Sequence, residues 1–174
     1  MNNDPQGAAA LFETALSESP VNPDIYIYLP LAYYQLGEYD KSLEISNIGL
    51  STEGTNRHII AFNAGNTAFA AGDYINASIY YTMAIEADAQ YAAPVLNRAN
   101  TYMKLDKLED AVRDYTKYLT LEPITPQRRQ ILDLIQLLNG EIALRKQSQN
   151  TVSAGAAAAA GTAAGAAAAG AAAG

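Results

Sequence analysis

The chain has 174 residues, 18 Asp and Glu against 11 Lys and Arg for a formal net charge of −7, one histidine and no cysteine. No disulfide framework or thiolate metal site can therefore exist, and the lone histidine cannot build a His-based metal cluster. The acidic balance has no basic stripe, so nucleic acid is not an expected partner, and the length suffices for one domain with its own core.

The first residues, MNNDPQGAAALFETAL, lack the basic start and continuous apolar core of a signal peptide. No stretch reads as a strong transmembrane helix. From residue 22, NPDIYIYLPLAYYQL reads as a helix with Asn22 as N-cap and Pro23 at the first helical position, where a missing N–H costs nothing. Gly37 should end it in the left-handed conformation. Pro30 lies inside that helix, where it removes one intrahelical bond at about 3 kcal/mol; the expectation is a kink near Tyr26–Pro30, or a helix that starts later. YDKSLEISNIGL then forms a second helix. The same pair of helices is expected at roughly 58–71 and 74–87, and again at 92–105 and 108–121.

These pairs keep time. Gly37 and Gly72 lie 35 residues apart and Asp106 a further 34, with Ser42, Ala77 and Ala111 five positions after each. Ala8 precedes Ser42 by 34 residues, so the rhythm already runs at the start of the chain. Tyr33 and Tyr102 share one slot, Tyr39 and Tyr74 another, and Phe12, Tyr81 and Tyr115 a third. Small residues at Gly65 and Ala99, facing Ala77 and Ala111, allow close backbone approach, with aromatics filling the remaining space. A period of this length is the mark of a repeat protein.

After Pro123, TPQRRQILDLIQLLNGEIALRKQ starts with Thr125 as cap and Pro126 as first helical residue. Ile131, Leu134, Ile135, Leu138 and Ile142 form one apolar face and the other face is polar, as the terminal element of a stack requires. Residues 154–174 contain only alanine, glycine and one threonine. Each glycine weakens an alanine helix by about 1 kcal/mol, so the end reads as a disordered, linker-like segment. A small-residue membrane helix and a tail lying in the protein's own groove are the other readings.

No catalytic constellation stands out. His58 opens a helix without a local Ser, Cys or carboxylate partner, Glu109 and Asp110 read as solvated-face charges, and there is no Gly-rich phosphate loop. An enzyme, a cofactor and a metal are not expected. The notable polar residues are two pairs, NAGN at 63–66 and NRAN at 97–100. On a helix, residues at i, i+3, i+4 and i+7 share a face. Asn63 and Asn66 then point with Phe62 and Phe69, and Asn97 and Asn100 with Leu96 and Met103. In the first unit, YLPL puts Tyr28 and Leu31 in the two asparagine slots, so the polar ladder should end there.

The stretch NRANTYMKLDKLEDAVRDYTKYLTLEP, with Tyr102, Leu105, Ala111, Tyr115 and Pro123 in the signature slots, resembles the tetratricopeptide repeat family. The resemblance implies an all-α, right-handed superhelical solenoid of antiparallel helix pairs. It divides residues 1–148 into a half-repeat at 1–22 closing near Pro20, repeats at 23–56, 58–91 and 92–125, and a capping helix at 126–147, followed by an Ala/Gly tail at 149–174. Either the protein begins with an isolated half-repeat or, the favoured reading, the chain is a piece cut from a longer array. The resemblance also implies a non-catalytic scaffold whose first helices line a concave groove for a peptide or protein. The groove residues carried over by register are Ile27, Leu31 and Tyr34; Phe62, Asn63, Asn66 and Phe69; and Leu96, Asn97, Asn100 and Met103. An amide both donates and accepts, so it can serve a ligand backbone whatever its side chains; Asn66 and Asn97 are the foremost candidates. The same asparagines can instead bond neighbouring helices. Self-assembly with further copies, and a regulatory segment of a larger protein, are the rival functions. A chaperone-binding subgroup grips its partner's C-terminal carboxylate with lysines, an arginine and asparagines. Here Phe62 stands where a lysine is expected and only Arg128 and Arg129 could substitute, so that clamp is not expected. Cytoplasm is the default compartment, with periplasm or secretion open if an export signal has been lost.

Overall fold

A computed structural model describes the backbone of residues 4–18 and 22–171 and the side chains up to Thr151. Among the described residues there are eight helices and no strand: α1 (Pro5–Glu18), α2 (Ile25–Leu36), α3 (Tyr39–Ser51), α4 (Arg57–Ala70), α5 (Tyr74–Ala87), α6 (Ala92–Lys104), α7 (Leu108–Leu121) and α8 (Arg128–Ala171). Pro20, the expected close of the half-repeat, lies outside the described residues, as do residues 1–3 and 172–174.

Each helix packs on its neighbours in sequence, and α2, α4 and α6 also touch in succession, so the first helices of the pairs form one continuous face. The core is correspondingly divided along the stack. Ile25, Leu29, Ala32 and Tyr33 pack with α1, while Tyr26, Leu50, Ile60 and Ala84 join the first and second pairs. Val95, Ala99, Ala111, Tyr115 and Tyr118 carry the core on to Ile131, Leu138 and Ile142 of α8. This nearest-neighbour pattern is the architecture of a solenoid.

The turns explain the glycines at the ends of first helices. Gly37 has φ +76°, and the turn is closed by Gly37 N–H to Tyr34 O at 3.0 Å and Glu38 N–H to Tyr33 O at 2.9 Å. Gly72 repeats this conformation, and Asp106 adopts it at φ +56° in the third unit, where Arg145 of α8 reaches its carboxylate at 2.6 Å. Aspartate is among the few residues that tolerate the left-handed region.

Three local expectations change. Pro23 is not the first helical residue: α2 starts at Ile25 behind Asp24, and Asn22 Oδ1 instead accepts from the Asp24 N–H at 3.1 Å, holding a turn ahead of the helix. The helix then runs unbroken through Pro30, so it does not start beyond the proline. A helical φ suits the ring, Pro30 is buried, and its carbonyl accepts from Ser42 Oγ at 2.8 Å. The C-terminal helix starts at Arg128 rather than Pro126, and its backbone runs to Ala171. Alanine has the highest helix propensity of any residue, and here it carries the helix past the glycines.

Candidate functional site

The groove is made at the second and third units by a device repeated with the sequence period. A first-helix asparagine receives a hydrogen bond from a second-helix tyrosine fifteen residues later. Tyr81 Oη donates to Asn66 Oδ1 at 2.8 Å, and Tyr115 Oη donates to Asn100 Oδ1 at 2.6 Å. Both rings are buried, Tyr81 to 1% exposure and Tyr115 to 3%. Burial pushes both phenols above the ordinary tyrosine range, which keeps them protonated as donors. Room for the Tyr81 ring comes from Gly65: a methyl group there would lie 2.6 Å from the ring carbons Cδ1 and Cε1. In the first unit the corresponding places hold Pro30 and Ser46, both buried. Ser46 Oγ donates to the Ser42 carbonyl at 2.8 Å, and Ser42 Oγ meets Thr67 Oγ1 at 3.0 Å, so a small hydroxyl bonded to its own helix stands where the other units have a phenol.

One rung links adjacent units: Asn97 Nδ2 donates to Asn66 Oδ1 at 2.9 Å, joining α6 to α4. The amides are thus bound to the protein and to the groove at once. Tyr34, Asn66, Phe69, Ala70, Tyr81, Asn97 and Asn100 line a cleft of about 170 Å³. A second cleft of about 70 Å³ shares Tyr34 and Asn66 and adds Pro30, Leu31, Asn63 and Thr67. A third, of about 260 Å³, shares Asn100 and adds Leu96, Tyr115 and the α8 residues Gln127, Gln130, Ile131 and Leu134. The three form one trough from α2 to α8.

Of the residues expected from the sequence, Leu31, Tyr34, Asn63, Asn66, Phe69, Leu96, Asn97 and Asn100 therefore meet in this trough. Ile27, Phe62 and Met103 are drawn into the packing instead: Ile27 beside Tyr26 and Ile60, and Met103 beside the Val95–Tyr115 cluster. Phe62 lies between Tyr81 and Tyr91, with ring centroids 6.1 and 5.1 Å away. Tyr28 turns from the groove and stacks on Phe12 of α1 at 5.7 Å. His58 sits edge-on to Tyr91 at 5.7 Å. Among the described residues no cluster of three or more His, Cys, Asp or Glu is placed to hold a metal ion, and no helix is long and apolar enough to cross a membrane.

Two features escaped the sequence reading. The tyrosine hydroxyls that orient the amides were visible only as a shared aromatic slot, although the 15-residue spacing from Asn66 to Tyr81 recurs from Asn100 to Tyr115. The second is a buried ion pair behind the groove. Arg98 Nε and Nη2 grip both carboxylate oxygens of Asp114 at 2.7 and 2.9 Å, and Nη1 reaches Thr82 Oγ1 at 2.8 Å. Burial is the largest single influence on Arg98 and opposes its charge, but the hydrogen bond to Asp114 and the carboxylate's charge, with the nearby Tyr102 and Asp110, together outweigh it and raise the guanidinium pKa. This pair fixes α6 against α5 and α7, and so sets the position of Asn97.

The comparisons agree with this architecture. Two family models described as tetratricopeptide repeat match residues 1–52 and 95–125. RNA polymerase II-associated protein 3 of Rattus norvegicus is 30% identical over 91 residues, which is 52% of this chain and 14% of that protein. The chain thus spans a small fraction of the curated relative it matches. Among solved structures, MamA superposes with a TM-score of 0.70 at 19% identity, over 79% of this chain and 80% of that one. The first TPR of Spaghetti (RPAP3), bound to the HSP90 peptide SRMEEVD, gives 0.57 at 19% identity, over 80% of this chain and 96% of that one. With tetratricopeptide repeat models matched over residues 1–52 and 95–125, the chain belongs to the tetratricopeptide repeat family.

Proposed function

We propose that this chain is a non-catalytic scaffold that holds an uncharged stretch of a partner polypeptide in the trough across α2, α4, α6 and α8. The observation that carries this is the lining. From Pro30 to Leu134 the three clefts contain no charged side chain, in a protein with 29 ionised Asp, Glu, Lys and Arg residues. Amides and phenols along an apolar floor suit a peptide backbone, whose polar groups need partners whatever the side chains. Leu31 and Tyr34 add open apolar surface at 38% and 37% exposure. That the Spaghetti domain, which shares this fold, is bound to the peptide SRMEEVD supports a peptide as the class of ligand.

The same lining argues against recognition of a terminal carboxylate. Phe62 fills the slot expected for a lysine with an aromatic cluster, and Arg128 Nη1 is turned to Leu119 O and Pro123 O at 3.4 and 3.3 Å. Peptides selected from a displayed random library should bind with neutral core residues, and amidating their C-terminus should leave Kd within about twofold, as expected where no ion pair is formed. Asn66→Ala and Asn97→Ala should each weaken binding; unchanged affinity in both would move the site elsewhere. The rival reading, self-assembly, draws on Leu137 and Leu144, which stand 69% and 61% exposed on α8. A monomer in sedimentation at high micromolar concentration would remove it.

A further inference from the structure

The central amide of the trough faces any occupant with donors alone. Asn66 Oδ1 already accepts from Tyr81 Oη at 2.8 Å and Asn97 Nδ2 at 2.9 Å, which engages both of its lone pairs. Both N–H bonds of Asn66 Nδ2 are left without a protein acceptor. Asn100 repeats the arrangement more loosely: Tyr115 holds its oxygen at 2.6 Å, and its Nδ2 is likewise unclaimed.

This asymmetry selects among uncharged peptides. An ordinary extended strand carries an N–H for every carbonyl, and an N–H pressed onto this floor loses water without gaining an acceptor at Asn66. Proline has a carbonyl and no N–H. Proline-containing segments also hold the polyproline II conformation, with solvated carbonyls and little ordering entropy left to lose, and they dock on aromatic-lined grooves. The cleft that contains Asn66 and Asn100 also contains Tyr34 and Phe69. Donors and aromatic surface therefore lie in one place, with no charge beside them.

Resting on the groove function above, we propose that the ligand is an uncharged, proline-containing segment in the polyproline II conformation, its carbonyls accepting from Asn66 and Asn100 and its rings packed on Tyr34 and Phe69. The test uses the full chain and two blocked peptides of equal length, one with alternating Pro and Ala or Ser, the other with every Pro replaced by Ala. Calorimetry should show the proline peptide binding about tenfold tighter or more, the effect of two neutral hydrogen bonds and of preorganisation. Asn66→Asp provides the second arm, since a carboxylate keeps both inward acceptors and replaces only the outward donors. It should melt like the parent chain yet lose about tenfold in affinity for the proline peptide. Equal binding of the two peptides, or an Asn66→Asp variant with unchanged affinity, would overturn the proline assignment while leaving the groove function standing. If neither peptide binds while a proline-free library peptide does, the assignment is likewise overturned. If no peptide of any kind binds, the groove function fails as well.

Discussion

Gly65 shows how much of the site depends on one missing methyl group. The ring of Tyr81 occupies that space, is 1% exposed, and is anchored at its hydroxyl by Asn66. Gly65→Ala gains about 1 kcal/mol of helix propensity, but the 2.6 Å approach forces the ring or the helices to move. A net loss of about 1–2 kcal/mol is expected from overpacking, read as a lower urea midpoint. The capping residue Asp73 offers a pH-dependent test. Its carboxylate accepts from the Asn76 N–H at 3.1 Å, and that bond, with the Asn76 side chain, lowers its pKa. A depressed carboxylate contributes stability above its unfolded pKa, ordinarily 3.8, and loses it as pH falls through the folded value. Asp73→Ala should therefore cost about 1 kcal/mol at pH 7, and the gap between variant and parent should close towards pH 2. Both residues show the limit of reading single positions: composition marks a glycine or an aspartate as special, but not which ring or N–H lies opposite.

At the scale of helices, the repeat made the pairing legible because the same small and aromatic slots return every 34 or 35 residues. Its irregularities were harder to read. Along one helix, Pro30 reads as a breach of α2. Across the pair it exchanges volume with its neighbour: Gly65 with Tyr81, Ala99 with Tyr115, and Pro30 with Ser46 hold corresponding places. The Arg98–Asp114 pair was illegible for a related reason. Each residue sits in a polar run on its own helix, and only the crossing of α6 over α7 buries Asp114 to 3% exposure. Asp114→Ala leaves the guanidinium unpaired in that interior and should destabilise the chain by about 3–5 kcal/mol. Thermal unfolding would measure the loss. Groove affinity should fall with it, since α6 carries Asn97 and Asn100.

The whole molecule is a stack in which each pair stabilises its neighbours, and α8 closes it. Ile131, Leu138 and Ile142 bury α8 against α7, while Arg145 and Lys146 tie it to Asp106 and Glu109 at 2.6 and 3.3 Å. Truncation after Asn150 keeps all these contacts, so melting temperature and peptide affinity should match the full chain; a loss of either would assign the Ala/Gly tail a part in the fold or the groove. The central claim is that the amides of the trough touch the ligand. Titrating ¹⁵N-labelled protein with a library-selected uncharged peptide tests this most directly, through the side-chain amide resonances. The account predicts saturable shifts at Asn66, Asn97 and Asn100, with Gln130 following where the peptide reaches α8. Shifts confined to the outer face of α8, around Leu137 and Leu144, with these asparagines unmoved, would contradict it.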